Sequence, residues 1–303
     1  MAAITRDERI RGVLAPVLTP FDRDLSPDPK RFVPFCRVLT QLGIGLVPFG
    51  TTSEGNSLSA DERMMLLEAL AAGGIDMARV MPSTGTCALS ETVRLTTHAV
   101  KLGCGGALML PPFYYKGVTE EGVFRAYASV IERVGDARLR VYLYHFPRQS
   151  GVPLSLPLIE RLLKAYPGVV AGIKDSSGEF ANMEAMRKAF PGFDVFTGSE
   201  AQGLKLMRLG GAGIISANAN VNGAAMVELV KRWREPDAEA LQDALTAFRV
   251  AMQDFPVIAA LKALVARATG DQAWRATRPP LVDLTIEAED AMVKRLQKAG
   301  FPV

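Results

Sequence analysis

The chain has 303 residues, of which 49% are hydrophobic and 22% are charged, and both fractions are typical of globular proteins. This composition excludes a disordered chain, a collagen and a small disulfide scaffold. No apolar run approaches the ~18 residues of a membrane span, and the first twelve residues lack the apolar segment of a secretory signal. The net charge of +3 is too small to predict a nucleic-acid partner.

Eight short apolar runs rich in β-branched residues alternate with segments that carry helix signals. The runs start about 30 residues apart, which is the size of a βα unit. They occupy residues 12–18, 44–50, 79–84, 106–112, 139–145, 168–174, 193–198 and 212–217. Continuous apolar runs of this kind are typical of parallel strands that are covered on both faces.

Two helix starts are visible in the segments between these runs. Asp28 followed by Pro29 predicts an N-cap with proline at the first helical position. Ser59 and Glu62 have the spacing of a capping box. Strands that alternate with helices eight times predict a closed (β/α)₈ barrel, and an open doubly wound sheet is the alternative.

The strand pattern ends near residue 222. Residues 1–222 are therefore predicted to form a (β/α)₈ barrel catalytic domain, and residues 223–303 a C-terminal helical extension. Cys36, Cys87 and Cys104 are odd in number and far apart, so we expect small buried side chains in a reducing cytoplasm.

Nucleotide and metal motifs are incomplete. Residues 50–57 have the glycine spacing of a phosphate loop, but Asn56 stands where the lysine is needed. Residues 211–216 lack the third glycine of a dinucleotide fingerprint and precede a strand instead of following one. The two histidines, His98 and His145, are far apart, and there is no CxxC pair. We therefore expect no metal or nucleotide cofactor.

Active sites of such barrels lie at the carboxyl ends of the strands, where Lys174 closes the sixth run. Strand alternation puts Lys174, Gly172 and Val170 on one face, and glycine leaves room beside a long inward side chain. An apolar lumen disfavours the charged form of an amine, and a neutral amine attacks a ketone to form a Schiff base. The alternative is a strand-end lysine that reaches solvent.

Polar side chains follow other runs in the same way. Tyr144, at the end of the fifth run, could move protons if its surroundings assist, or could simply pack in the lumen. Thr51 and Thr52 follow the second run and precede a capped helix, an arrangement that suits a carboxylate but also an ordinary turn. Tyr114 and Tyr115 lie on the loop after the fourth run, where an oligomer interface would also explain them.

Three motifs together resemble the dihydrodipicolinate synthase and N-acetylneuraminate lyase family. They are GTTSEG at residues 50–55, YHFP at 144–147 and GIKDSS at 172–177. PPFYY at 111–115 and GGAGIISANAN at 210–220 also fit, and the resemblance extends from about residue 12 to about residue 260. The family is built on the (β/α)₈ barrel, so the resemblance implies the same fold.

The resemblance implies a class I mechanism without metal or other cofactor. Lys174 would form a Schiff base with pyruvate or a related 2-keto acid, and Tyr144 would relay protons. Thr51 and Thr52 would hold the carboxylate, and Thr51 would join the relay. Tyr115, with Tyr114 as the alternative, corresponds to the family's tyrosine that enters a neighbouring subunit's site, in an oligomer that is usually a tetramer built from tight dimers.

The resemblance also implies further substrate contacts. Ile215 occupies the position whose backbone carbonyl lies near pyruvate in the family, and Gly50, His145 and Arg148 occupy other positions next to the substrate. Synthases of lysine biosynthesis carry an arginine that binds the carboxylate of aspartate semialdehyde. Here Gln149 stands at that place and Arg148 lies one residue earlier. In an extended segment this shift would turn the arginine to the opposite side.

These observations predict a dihydrodipicolinate synthase-like lyase or synthase that forms or cleaves a carbon–carbon bond through a lysine imine. The altered arginine position keeps two alternatives open, namely an aldolase or a dehydratase of 2-keto-3-deoxy sugar acids. A barrel that binds a keto acid without turnover is an alternative from another class. Each of these proteins would be a cytoplasmic, homo-oligomeric protein with a small-molecule partner and no nucleic acid or membrane.

Overall fold

A single curled sheet of parallel strands forms the centre of the molecule. The computed structural model describes residues 9–302; residues 1–8, which the sequence assigned to the barrel domain, and residue 303 lie outside them. The strands are β1 Gly12–Ala15, β2 Gly45–Leu46, β3 Ala107–Met109, β4 Val141–His145, β5 Val170–Asp175, β6 Asp194–Thr197 and β7 Gly213–Ile215. Their order in the sheet is β2-β1-β7-β6-β5-β4-β3.

The third predicted run, residues 79–84, forms no regular strand but closes the sheet. It makes single parallel bridges from Val80 to Leu46 of β2 and from Ser83 to Leu108 of β3. Pro82 has no N–H to donate, so an uninterrupted ladder is impossible in this segment. The segment nevertheless connects the two edge strands, and the prediction of a closed (β/α)₈ barrel is confirmed.

Helices follow the strands around the outside of the barrel. They are α1 Pro29–Gln41, α2 Ala60–Ala72, α3 Leu89–Lys101, α4 Glu120–Val134, α5 Pro147–Ser150, α6 Leu156–Ala165, α7 Phe180–Ala189, α8 Gly203–Arg208, α9 Ala219–Arg232, α10 Ala238–Met252, α11 Val257–Thr269 and α12 Ile286–Lys298. Both predicted helix starts are present. Asp28 accepts hydrogen bonds from the backbone N–H groups of Lys30 and Arg31, and Ser59 and Glu62 form the capping box.

The helix α9 crosses the predicted domain boundary at residue 222. Asn222 has a non-helical φ of −126°, which marks a kink in that helix. Beyond the kink, Met226 and Leu229 pack in the same apolar cluster as Val13 of β1, so the second half of α9 covers the barrel. The second half of α10 packs with α11, α12 and Leu18 in a separate apolar cluster, whereas Ala238 and Leu245 of α10 pack in the barrel cluster. The packing on the barrel thus continues past residue 222 into α10, and the division of the chain at that residue stays a prediction.

The barrel lumen is packed with side chains, so only its carboxyl end can hold a ligand. Tyr142, Phe196 and Leu108 lie fully buried in the lumen cluster. The expectation that Gly172 leaves room for Lys174 is wrong, because a Cβ at Gly172 would lie 2.8 Å from the ring of Tyr142. The space beside Gly172 therefore holds the tyrosine one layer below the site.

The cysteines and the helices bear on two further expectations. Cys36 is buried and Cys104 is half-buried, but Cys87 is exposed, so the expectation of three buried side chains is wrong for that residue. Within residues 9–302, no single helix is long and apolar enough to cross a membrane. The helices α10 and α11 reach the required length and hydropathy only when they are taken together, and the pair is bent by 107°.

Candidate active site

Lys174 and Tyr144 face each other at the carboxyl end of the barrel. They are register partners on the neighbouring strands β5 and β4. The Nζ of Lys174 donates a hydrogen bond to the Tyr144 hydroxyl at 3.3 Å. Their side chains are only 6% and 4% exposed, respectively. The structure therefore places a buried amine next to a phenol that can accept or donate a proton.

The strand alternation predicted around Lys174 holds only in part. Lys174 and Gly172 do face the lumen, but the register shifts between Val170 and Gly172. As a result Ala171 packs in the lumen cluster, whereas Val170 packs in the outer cluster. The prediction that Val170 shares a face with Lys174 is wrong because this bulge inserts one residue.

A cavity of about 530 Å³ opens above the lysine. Several residues predicted for the site line this cavity, namely Lys174, Tyr144, Thr51, Thr52, Ile215 and Arg148. They come from four strand ends that are distant in sequence. The closed parallel sheet brings them together because the carboxyl ends of all its strands meet at one face.

The loop that carries Thr51 and Thr52 has an unusual backbone. Phe49 and Glu54, which flank the two threonines, both have left-handed conformations with φ of 67° and 57°. A Cβ at Gly55 would lie 1.9 Å from the carbonyl oxygen of Phe49, so only glycine fits there. Gly50 does not line the cavity; its carbonyl accepts a hydrogen bond from the Gly55 N–H at 3.0 Å. The loop geometry explains the motif around the two threonines.

The structure places His145 outside the cavity. Its Nδ1 accepts a hydrogen bond from the backbone N–H of Leu154 at 3.1 Å. Burial lowers the pKa of His145, and the neighbouring Asp175 opposes that shift. The predicted contact of His145 with substrate has no support here, because alternation along β4 turns the ring away from the lumen.

Tyr114 and Tyr115 also lie outside the cavity of their own chain. Each is 74% exposed, and their rings form an edge-to-face pair with centroids 5.3 Å apart. The structure therefore does not join Tyr115 to Lys174 within one chain, and its predicted role remains a prediction.

Arg148 reaches the cavity despite its shifted position. Pro147–Ser150 forms the short helix α5, so the expectation of an extended segment is wrong. Successive residues in a helix differ by about 100° and not by half a turn. Both Arg148 and Gln149 consequently line the cavity. Among residues 9–302, Arg148 forms no hydrogen bond or ion pair.

A polar network beside the cavity involves residues that were not among the predicted site residues. Glu200 is fully buried and accepts hydrogen bonds from Ser216 Oγ and Asn218 Nδ2, each at 2.5 Å. Arg249 of α10 donates to the same carboxylate at 3.1 Å. Glu200 follows β6, so the rule that active-site residues lie at the carboxyl ends of strands, which selected Lys174, could have selected Glu200 too. Arg249 has no local signal, because only the folding back of α10 brings it to the site.

Basic side chains outnumber acidic ones on the cavity wall, although Arg249 is paired with the buried Glu200. Lys174, Arg148 and Arg249 line the cavity, and the acidic residue on its wall is Asp175. The carboxylate of Asp175 is already held by the Ser177 N–H at 2.7 Å and by Asn182 Nδ2 at 2.6 Å. The guanidinium of Arg148, which has no acidic partner among residues 9–302, therefore favours an anionic ligand at this wall. Among residues 9–302, no three His, Cys, Asp or Glu side chains are grouped as metal ligands.

The fold and site define a (β/α)₈ barrel enzyme of the lyase class. Their geometry agrees with the family comparison, in which the model described as "Dihydrodipicolinate synthetase family" matches residues 9–299. The chain belongs to that family, and the resemblance drawn from its motifs is confirmed.

Relatives and solved structures match over nearly the whole chain. An uncharacterised DapA-like lyase from Chloroflexus aurantiacus is 32% identical over 93% of this chain and 94% of its own length. The crystal structure of dihydrodipicolinate synthase from Agrobacterium tumefaciens is 29% identical, with a TM-score of 0.87, over 95% of this chain and 99% of that one. A prophage protein of the same family from E. coli K12, in complex with pyruvate, is 27% identical with a TM-score of 0.87, over 96% of this chain and 98% of that one.

Proposed function

We propose that the chain forms an imine between Lys174 and the ketone of pyruvate or a related 2-keto acid, and uses it to make or break a carbon–carbon bond. The observation that carries this proposal is the buried Lys174–Tyr144 pair at the base of an open cavity. The E. coli relative in complex with pyruvate supports the choice of keto acid.

The 3.3 Å contact between Lys174 Nζ and the Tyr144 hydroxyl is suited to the proton transfers of this chemistry. The neutral amine adds to the ketone carbon, and Tyr144 protonates the carbinolamine oxygen, which leaves as water. The resulting protonated imine withdraws electrons from the adjacent carbon. Tyr144, now a phenolate, takes a proton from that carbon to give an enamine, which attacks the carbonyl carbon of an aldehyde to form the new bond. Tyr144 returns the proton to the new alkoxide, and water hydrolyses the imine and releases Lys174. The reverse sequence cleaves the bond and releases the aldehyde.

Thr51 and Thr52 supply the groups that suit the keto-acid carboxylate. Both line the cavity wall next to Lys174, and hydroxyl groups stabilise a carboxylate by hydrogen bonds to its charged form. Ile215, at the end of β7, lies on the wall as well, and its backbone carbonyl is the candidate acceptor for the carbinolamine hydroxyl or for the N–H of the protonated imine. The keto acid would thus be held at its carboxylate while its ketone faces the amine.

Tyr115 completes the proposal through a second copy of the chain. Two adjacent tyrosines that are each 74% exposed are unusual for the surface of a monomer. In a dimer, this pair would bury its rings and insert Tyr115 into the partner's relay, with Tyr114 as the alternative. We therefore propose a homo-oligomer, with the tetramer of the family as its expected form.

The cavity beyond the imine site suggests the second reactant. The unpaired guanidinium of Arg148 favours an aldehyde that carries a carboxylate, as in a dihydrodipicolinate synthase-like reaction. The other wall residues favour a polyhydroxylated chain, as in aldol cleavage or dehydration of a 2-keto-3-deoxy sugar acid. These wall residues are Ser176, Ser177, Ser199, Gln202, Asn218 and Gln253. Turnover assays with both classes of compound distinguish the two candidates.

Borohydride trapping tests the imine directly. The wild-type chain is incubated with pyruvate and borohydride, and the adduct is located by intact mass and peptide mapping. We expect one reduced pyruvate on Lys174 and none in Lys174→Ala. Lys205→Ala, which removes an exposed lysine of α8, is the matched control and should label like the wild type.

Two results would contradict the proposal. The absence of an adduct with pyruvate and other 2-keto acids would remove the imine mechanism. Thermal stabilisation by a keto acid without any adduct or turnover would support a non-catalytic binding barrel instead.

A further inference from the structure

A buried ion pair connects the threonine loop of the site to the C-terminal extension. Glu54 lies two residues after Thr52, and Lys262 lies on α11. The Nζ of Lys262 contacts Oε1 of Glu54, and both side chains are 0% exposed. Two charges that are removed from water in this way must be held in a well-defined geometry.

The contacts around the pair extend into a second segment of the extension. Lys262 Nζ also donates to the carbonyl oxygen of Ala276 at 2.6 Å and lies 4.3 Å from the ring centroid of Phe21. Oε2 of Glu54 accepts a hydrogen bond from the Arg278 N–H at 2.8 Å. Burial lowers the pKa of Lys262, and the charge of Glu54 opposes that shift. Glu54 is therefore held from α11 and from the segment that precedes α12.

The backbone at Glu54 needs such support. Its φ of 57° is in the left-handed region, which costs free energy for residues other than glycine. Conformations of this kind persist where the surroundings impose them, and they are enriched at functional sites. The loop has one further anchor nearby, because Thr19 Oγ1 donates to the carbonyl oxygen of Ser53 at 2.8 Å.

Lys262 does not compete with Lys174 for the keto acid. It is absent from the cavity lining, and its amine is occupied by Glu54 and Ala276. The chain thus contains two buried lysines whose surroundings differ. Lys174 faces an open cavity and a single phenol, whereas Lys262 is enclosed by a carboxylate and a carbonyl.

We propose that Lys262 is a positioning residue that holds Glu54 and thereby orients Thr51 and Thr52 towards the carboxylate of the bound keto acid. This inference rests on the proposed function for its catalytic consequence. Loss of the pair should weaken binding of the keto acid more than it slows the imine chemistry, because Lys174 and Tyr144 lie on other elements.

The test uses Lys262→Met, Glu54→Gln and the double variant, with Glu289→Gln as the control. Glutamine at position 54 retains an acceptor for the Arg278 N–H, and methionine at position 262 retains much of the lysine volume. Glu289 forms a largely buried ion pair with Arg275, which directly precedes Ala276, so its variant disturbs the same segment of the extension while the Lys262–Glu54 pair stays in place. The double variant leaves no unpaired buried charge, so it serves if a single variant fails to fold.

Two readouts are measured on the folded, full-length variants. The first is hydrogen exchange of the amides of residues 50–57, which should become faster in the Lys262 and Glu54 variants and stay unchanged in Glu289→Gln. The second is the KM for pyruvate in trapping on Lys174, which should rise by about ten- to a hundredfold, because the hydrogen bonds from Thr51 and Thr52 to a charged carboxylate are weakened. The limiting trapping rate should fall less than KM rises.

The outcomes separate this inference from the proposed function. Unchanged exchange of residues 50–57 in the Lys262 and Glu54 variants would overturn the inference, whether or not pyruvate is trapped. Normal trapping by the wild type with an unchanged KM in the variants would overturn it as well. An equal rise of KM in Glu289→Gln would reduce the pair to a general contribution to stability. Failure of the wild type to trap any keto acid would instead contradict the proposed function.

Discussion

Replacement of Tyr144 by phenylalanine isolates the proton transfer that the proposed mechanism assigns to this residue. The substitution removes one oxygen and keeps the ring, which stacks on Phe146 with centroids 5.7 Å apart. The loss of the hydroxyl removes the hydrogen-bond partner of the Lys174 amine, which still faces the open cavity. One hydrogen bond contributes about 1 kcal/mol to folding, and we expect the melting temperature to fall by only a few degrees.

The effect on the reaction should be much larger than the effect on folding. Among residues 9–302, the Tyr144 hydroxyl is the hydrogen-bond partner of Lys174 Nζ. A positioned acid or base contributes about 10²- to 10⁴-fold to a rate, which is about 3–5 kcal/mol of activation free energy. The KM for the keto acid should change little, because Thr51 and Thr52 remain in place.

Exchange of the pyruvate methyl hydrogens in deuterated water measures this step without a second reactant. Nuclear magnetic resonance follows the loss of the methyl signal as the enamine forms and takes up deuterium. Tyr142→Phe is the matched control, because Tyr142 lies on the same face of β4 and its buried hydroxyl has no hydrogen-bond partner among residues 9–302. The assigned role would be refuted if Tyr144→Phe exchanged the methyl hydrogens at the wild-type rate. It would also be refuted if the exchange rate fell equally in Tyr144→Phe and Tyr142→Phe.

Three more predictions concern Arg148 in the cavity wall, the dependence of stability on pH, and the oligomeric state. Arg148→Gln should raise the KM for an aldehyde that carries a carboxylate by about tenfold, and the rate of hydrogen exchange at the pyruvate methyl group should stay unchanged. An equal rise of the KM for neutral aldehydes would contradict this prediction. Burial lowers the pKa of His145 in the folded chain below its ordinary value of 6.5. As the pH falls below 6.5, the histidine of the unfolded chain is protonated first, so the free energy of unfolding should decrease. Urea unfolding of His145→Asn should show a weaker pH dependence, and an equal slope would exclude His145 as the cause. Tyr115→Phe should slow turnover while pyruvate is still trapped on Lys174. Size-exclusion chromatography combined with turnover assays should show that dissociated chains are less active, and a fully active monomer would exclude the shared site.

Local sequence was sufficient for several parts of the fold and of the candidate site. The capping residues Asp28 and Ser59 act within a few positions of themselves, so their hydrogen bonds depend on neighbouring backbone alone. Lys174 and Tyr144 could be assigned to strand ends because side chains alternate along a strand and parallel strands end at one face. Their mutual distance of 3.3 Å follows from the register of β4 and β5, which the sequence pattern does not specify.

Other predictions failed where a neighbouring element determined the geometry. A bulge between Val170 and Gly172 changed the face of Val170, and the helical turn of α5 directed Arg148 into the cavity. Alternation along β4 directed His145 away from the cavity. In each case the decisive fact was a backbone conformation of a few residues, and apolar patterning does not encode it strongly.

The amino-acid sequence by itself determined the barrel class, the family and the residues at the centre of the site, because these depend on hydrophobic periodicity and on motifs that are contiguous in the chain. Only the tertiary structure brought Arg249 to Glu200 and Lys262 to Glu54. These contacts join residues that are far apart in the sequence. They form because the extension folds back over the barrel, and burial then requires each charge to find a partner.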